Sequence, residues 1–241
     1  MKIDFLLVFL YNYNIRKERK IMKRDYSYEF KAFAAAQRLL DTLESINFDF
    51  SNPYVTLCDD EICPDYLFWG SGASRYVVWD DNYDFAIKFA RTSYYERYND
   101  AEVDLYNRAK ELGIERNFAR IMKYLEAHLE DDGTYIPSIY VVEYLNCNDE
   151  EVDDCAWEYG YEDYCRSRGL DGSCYEYADD FNDIRDDMSD VKDYFYSQMS
   201  NEEKVKVINF IIDNAINDLH CANFGFRGDK LVISDYAGWG W

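Results

Sequence analysis

Residues 217–226 read NDLHCANFGF, and nine residues further on the chain reads DYAG (235–238). Asp218, His220 and Asn223 therefore share one short polar stretch between apolar segments, with a second acid, Asp235, close behind. Alone, such a stretch is turn chemistry, since Asp and Asn side chains bond their own backbone and cap helix ends. Its meaning depends on what precedes it in the chain.

Upstream, Phe30, Phe33, Leu39, Leu40, Leu43 and Ile46 recur at helical spacing and predict an amphipathic helix from about Tyr26 to Ile46. Three runs rich in aromatic and β-branched residues, YLFWG (66–70), RYVVW (75–79) and DFAIKFA (84–90), read as strands. Asp80-Asp81-Asn82 supplies the turn between the second and third. Helical spacing returns from about Glu96 to Leu112, where Gly113 ends it. ARIMKYLEAHLE (119–130) and YIPSIYVVEYL (135–145) form a hairpin about Asp131-Asp132-Gly133. An acidic stretch follows, with one predicted helix near Tyr177 to Tyr196. Ser200-Asn201-Glu202-Glu203 is a capping box that opens an apolar, buried helix through Val205, Ile208, Ile211, Ile212 and Ile216. NFGF and KLVIS flank Arg227-Gly228-Asp229 as a last hairpin, so this triplet is turn chemistry and not an adhesion signal.

Five strands enclosing one helix, followed by helical segments, predict an α+β fold with two lobes. The expected organisation is an N-terminal extension with its helix (1–49), a sheet lobe (50–146) and a mostly helical lobe (147–241) that carries an acidic insert at 147–200.

Four pieces in chain order, GSGASRYVV (70–78), FAIK (85–88), DLHCAN (218–223) and DYAG (235–238), resemble the protein-kinase-like superfamily. The DLHxxN form is nearer the aminoglycoside and small-molecule phosphotransferase branch than the DLKxxN of protein kinases. Small kinase-like proteins of phage genomes also look similar, particularly in ending near a D-Y-A-G segment. The resemblance covers roughly residues 66–240 and leaves the acidic insert unmatched.

It implies ATP and Mg2+ as cofactors and assigns a role to each motif. Gly70, Ser71, Gly72 and Ala73 would let backbone N–H groups approach phosphate oxygens, and Val77 would pack under adenine. Lys88 would bind the α- and β-phosphates, held by a helix carboxylate for which Glu102 is preferred to Glu96 and Asp104. YVVEYL (140–145) would be the hinge, with the backbone of Glu143 and Leu145 on adenine and Val142 behind it. Asp218 would orient or deprotonate the acceptor hydroxyl, His220 would contact the γ-phosphate, and Asn223 and Asp235 would hold magnesium.

Composition bounds the partners. The chain has 241 residues, 48% of them hydrophobic and 18% aromatic, enough for a substantial core. Its net charge of −22 argues against nucleic acid, whose phosphates need Lys and Arg. Residues 147–200 hold 17 acids against 4 bases, a surface that would draw a cationic acceptor such as a basic protein tail or an amine-rich small molecule. Seven irregularly spaced cysteines without a CxxC pair, and only two histidines, fit free thiols better than a zinc site. No run reaches the length of a membrane span. The apolar start MKIDFLLVFL is followed, not preceded, by basic residues, so it does not read as a signal peptide, and Met22 is an alternative start. The expected location is the cytoplasm, that of the host if the chain is phage-encoded.

Three departures separate the sequence from the family pattern. Arg75 stands where a third loop glycine belongs, and would either crowd the nucleotide or add a phosphate contact. Ile216 replaces the His two residues before the catalytic Asp. Six residues follow Asp235, which leads to the expectation of a truncated C-lobe without an activation segment. Two functions therefore stand: a minimal phosphotransferase, favoured by Lys88, Asp218, Asn223 and Asp235 together, and an inactive kinase-like protein that sequesters a basic partner or mimics a polyanion.

Overall fold

Residues 26–50, 53, 63–71, 74–80, 82–130, 133–145 and 149–237 are described by the structure, a computed structural model. Internal packing divides the chain into residues 1–31 and 32–241. Of the first unit only residues 26–31 are described, the opening turns of helix α1 (Tyr26–Ser45).

The second unit is α+β. Strands β1 (Leu67–Ser71), β2 (Arg75–Asp80), β3 (Phe85–Ala90), β4 (Ile121–Leu125) and β7 (Ile139–Glu143) form an antiparallel sheet in the order β1-β2-β3-β7-β4. Strands β5 (His128–Leu129) and β6 (Tyr135–Ile136) lengthen the β4–β7 hairpin into a two-stranded arm. At the β2–β3 turn Asp80 accepts from the backbone N–H of Asn82 at 2.8 Å, the expected turn chemistry, with Asp81 itself outside the described residues.

Strand alternation assigns the two faces. The pairs Val77↔Lys88 and Lys88↔Tyr140 place Arg75, Val77, Ala86, Lys88, Tyr140 and Val142 on one side. Tyr76, Val78, Ile87, Phe89 and Val141 face the other way. There Phe48 and Phe50, just past α1, pack edge-on against Phe89, and Gln37 of α1 accepts a hydrogen bond from the Tyr124 hydroxyl at 2.6 Å. The Lys88 side is covered by α2 (Glu96–Leu112), which buries Tyr98, Glu102, Leu105, Tyr106 and Ala109 at helical spacing. Gly113, at φ 69°, ends α2 as expected. Covered on both sides, β3 is buried at all six positions.

The helical part corrects the expectation for the acidic stretch. Three helices form where one was predicted: α3 (Asp149–Arg168), α4 (Ala178–Asn182) and α5 (Asp187–Ser197). Val152 and Ala156 of α3 join Val191 and Phe195 of α5 in the cluster that also holds Phe210, Phe224 and Ile233. Arg185 ties the pair electrostatically, reaching Asp153 at 2.5 Å and Asp190 at 2.9 Å. The stretch is thus structural body as well as charged surface. Among the described residues no helix is long and apolar enough to cross a membrane.

Helix α6 (Asn201–Asp213) starts at the predicted cap, Ser200 accepting from the Glu203 N–H at 3.3 Å. Its buried side carries Val207, Phe210 and Ile211, whereas Val205 and Ile212, named in the expected buried helix, are 58% and 69% exposed. Ile216 is buried beyond the helix end. The Glu203 carboxylate turns away from the cap to Arg116 and to Asn117 at 2.9 Å.

The Arg116 hydrogen bond holds the Glu203 carboxyl below its ordinary value of 4.5, against the upward push of burial. A carboxyl depressed on folding adds stability above its unfolded pKa, and that stability fades as pH falls through the folded value. Glu203→Gln is therefore expected to narrow the gap in urea-unfolding stability between neutral pH and about pH 3. An unchanged gap would show that the pair contributes nothing.

Candidate functional site

Chain connectivity builds the site. Helix α6 delivers residues 214–223, and hairpin β8 (Phe224–Arg227) and β9 (Lys230–Ile233) turns back through Gly228 at φ 65°. The register Phe224↔Ile233 continues one step further, where Ser234 N–H donates to the Asn223 carbonyl at 2.8 Å. Asn223 is thereby tied to the residue that precedes Asp235. Ala119 N–H donates to the Ile233 carbonyl at 2.8 Å and Tyr236 donates its hydroxyl to the Ala119 carbonyl at 2.9 Å, which docks the hairpin beside β4. The joint is packed: Phe118 lies edge-on to both Phe210 and Tyr236 at 5.3 Å. Arg227 is drawn into it too, its Nε donating to Glu143 at 2.7 Å, so the arginine of Arg227-Gly228-Asp229 ties the hairpin to the end of β7.

On the sheet side, Lys88 Nζ donates to Glu102 at 2.8 and 3.0 Å. Glu102 is thus the helix carboxylate, as preferred. Of its rivals, Glu96 accepts instead from the Tyr135 hydroxyl and the Ser138 N–H, and Asp104 is exposed. Asp235 stands 3.8 Å from Lys88, and the Tyr236 N–H reaches Glu102 at 3.4 Å.

Arg75 completes the group. Its guanidinium lies 3.1 Å from Glu102, and its NH2 nitrogen meets both Asp235 oxygens at 2.5 and 2.6 Å. Two cations and two anions therefore form a closed quartet, with the Arg75, Lys88 and Glu102 side chains 8%, 5% and 1% exposed. Asp235 sits at its rim, 36% exposed. Loss of water opposes ionisation of Asp235, yet Lys88 and Arg75 prevail and hold it well below the usual carboxylate range. Burial pushes the Glu102 carboxyl up, against the pull of Arg75 and Lys88. This part of Arg75 escaped sequence reading, although strand alternation alone puts it on the Lys88 face.

Asp218 and His220 sit on the helical side and are partly open, 43% and 44% exposed. Asn223 donates to the Asp218 carbonyl at 2.6 Å, which fixes the loop. His220 Nε2 lies 3.2 Å from the Asn223 amide nitrogen and 3.5 Å from Asp218 Oδ1, so its tautomer decides which of the two it bonds. Cys221 lies 3.7 Å from Asp153, which joins the loop to α3.

The segment expected to form a phosphate loop is described only in part. Gly70 and Ser71 belong to β1, paired with Val77 and Tyr76, and Gly72 and Ala73 lie outside the described residues. A Cβ at Gly70 would touch the Trp79 ring at an ordinary 3.7 Å, so packing does not demand glycine there. Val77 packs against the cluster that contains Ala86, Val142 and Leu145. The Glu143 N–H is already given to the Arg120 carbonyl and the Tyr144 N–H to Asp84.

Asn223 and Asp235 offer oxygen donors of the kind magnesium takes. As arranged they do not fit a divalent ion, because both Asp235 oxygens accept from Arg75 and a second cation, Lys88, adjoins them. Among the described residues no three His, Cys, Asp or Glu side chains converge as a metal site. No family model, curated protein or solved structure matches the chain. The functional reading therefore rests on the site itself.

Proposed function

We propose that the chain is a kinase-like, nucleotide-dependent phosphotransferase. The base would lie on the strip of Val77, Ala86, Val142 and Leu145, and the polyphosphate would meet Lys88. The terminal phosphoryl group would pass to a hydroxyl: the acceptor O–P bond forms, the bond to the β-phosphate oxygen breaks, and the hydroxyl proton goes to Asp218. The carboxylates of α3 to α5, joined to the loop at Asp153, favour a cationic acceptor.

The observation that carries this reading is the buried Lys88–Glu102 pair beside Asp235, with the Asp218–Asn223 loop attached through Ser234. A structural ion pair alone would not need that loop next to it. A second reading, a catalytically silent kinase-like protein that binds a basic partner, is favoured by the Arg75–Asp235 pair, which occupies a carboxylate the chemistry would use.

Nucleotide binding is the first test. At one hundred times its dissociation constant ATP should stabilise the fold by about 2.7 kcal/mol, a rise in melting temperature on the order of 5–10 °C. If neither ATP nor GTP at millimolar concentration moves the melting temperature, in magnesium or in chelator, the nucleotide reading fails.

A further inference from the structure

We propose that Arg75 is the resident counter-cation of Asp235, and that a nucleotide polyphosphate therefore binds beside the quartet without a divalent metal ion. The inference rests on the nucleotide reading above but concerns what balances the charge there.

Three observations carry it. Arg75 is held from two sides, by Asp235 through both carboxylate oxygens and by Glu102 at 3.1 Å, at the first position of a strand paired with β3. One guanidinium nitrogen donates to both carboxylate oxygens, and arginine keeps its charge at any working pH. A magnesium ion, which sheds water reluctantly, would have to displace it while facing Lys88 as well.

The second observation is charge balance. Arg75 and Lys88 neutralise Glu102 and Asp235 within the quartet, so Asp235 does not need a metal to be stable where it stands. A divalent ion at Asp235 would therefore add charge to a group that is already neutral, rather than balance an unpaired carboxylate.

The third is an unused donor. Among the described residues the buried Nη1 of Arg75 has no hydrogen-bond partner, its approach to Glu102 at 3.1 Å being an ion pair without hydrogen-bond alignment. Buried polar groups left so are rare, and each calls for an acceptor. A phosphate oxygen is the acceptor chemically suited to a guanidinium at the end of the β1–β2 turn.

The test uses the full-length chain and two probes. Titration calorimetry with ATP should give dissociation constants in EDTA and in magnesium that agree within about threefold. Mn2+ alone, followed by its electron paramagnetic resonance signal, should bind wild type only weakly. Arg75→Met keeps the side-chain volume and removes the charge, so it should bind Mn2+ at least about tenfold tighter, and its ATP affinity should become metal-dependent. A wild-type protein that loses about tenfold or more in ATP affinity in EDTA would overturn the proposal, as would equal Mn2+ binding by the two proteins. Should Arg75→Met not fold, the wild-type comparison of EDTA with magnesium decides alone. Should no nucleotide bind at all, the phosphotransferase reading fails and the metal-free binding falls with it, while the Mn2+ arm still reports whether Arg75 keeps cations from Asp235.

Discussion

Glu102→Ala is expected to destabilise the protein by about 3–5 kcal/mol, the cost of stranding buried charge. The Glu102 side chain is 1% exposed and faces two cations, Lys88 at 2.8 Å and Arg75 at 3.1 Å, which are themselves almost fully buried. Alanine would leave both without their carboxylate, and neither has water to turn to. Asp235 could compensate only in part, because it already pairs with Arg75 and lies 3.8 Å from Lys88. Urea unfolding of wild type and variant measures the loss. Adding Lys88→Met to Glu102→Ala should recover part of it, since one stranded cation is then gone, and the shortfall from additivity is the pair's coupling. A Glu102→Ala loss below about 1 kcal/mol would mean that the quartet is loose and hydrated, and the site built on it would go too.

Much of this site was legible before the structure, for reasons of periodicity. Alternation in RYVVW and FAIKFA fixes which residues share a face, whereas the sheet order, with β7 and not β4 beside β3, is seen only in the structure. The choice of Glu102 was readable too, because it falls on the helix face of Tyr98, Leu105, Tyr106 and Ala109, while Asp104 turns outward. The acidic helices were harder. Val152, Ala156, Tyr161 and Cys165 are the buried positions of α3, but they are small or aromatic and stand among carboxylates, so the apolar stripe is faint. In α6 the apolar residues are too many, and only contact with the rest of the core shows that Val207 and Phe210 face inward while Val205 and Ile212 do not. For Arg75 the sequence suggests a crowded nucleotide or an added phosphate contact, and nothing of a carboxylate partner. Its bond to a carboxylate 160 residues away depends on how the last hairpin docks, and no local pattern carries that.

The second large effect separates binding from chemistry at Asp218. If its carboxylate takes the acceptor proton in the transition state, Asp218→Asn should lower phosphoryl transfer by about 10²–10⁴-fold, the range of a general base. Nucleotide affinity should hardly change. Asp218 is partly open, and the bond that fixes its loop, from the Asn223 side chain at 2.6 Å, goes to its backbone carbonyl, which the substitution keeps. An interaction made only in the transition state lowers kcat and kcat/KM together and spares binding. Autophosphorylation and ATP hydrolysis supply the rates without knowledge of the natural acceptor, and the ATP-induced rise in melting temperature supplies the binding. Asn223→Ala is the necessary contrast, because it removes the bond that holds the loop and should blunt transfer without removing the base. If Asp218→Asn transfers phosphate as fast as wild type, Asp218 is not the base; if neither protein transfers any, the loop serves only to dock the terminal hairpin through Ser234, and the protein is the silent binder whose acidic helices meet a basic partner.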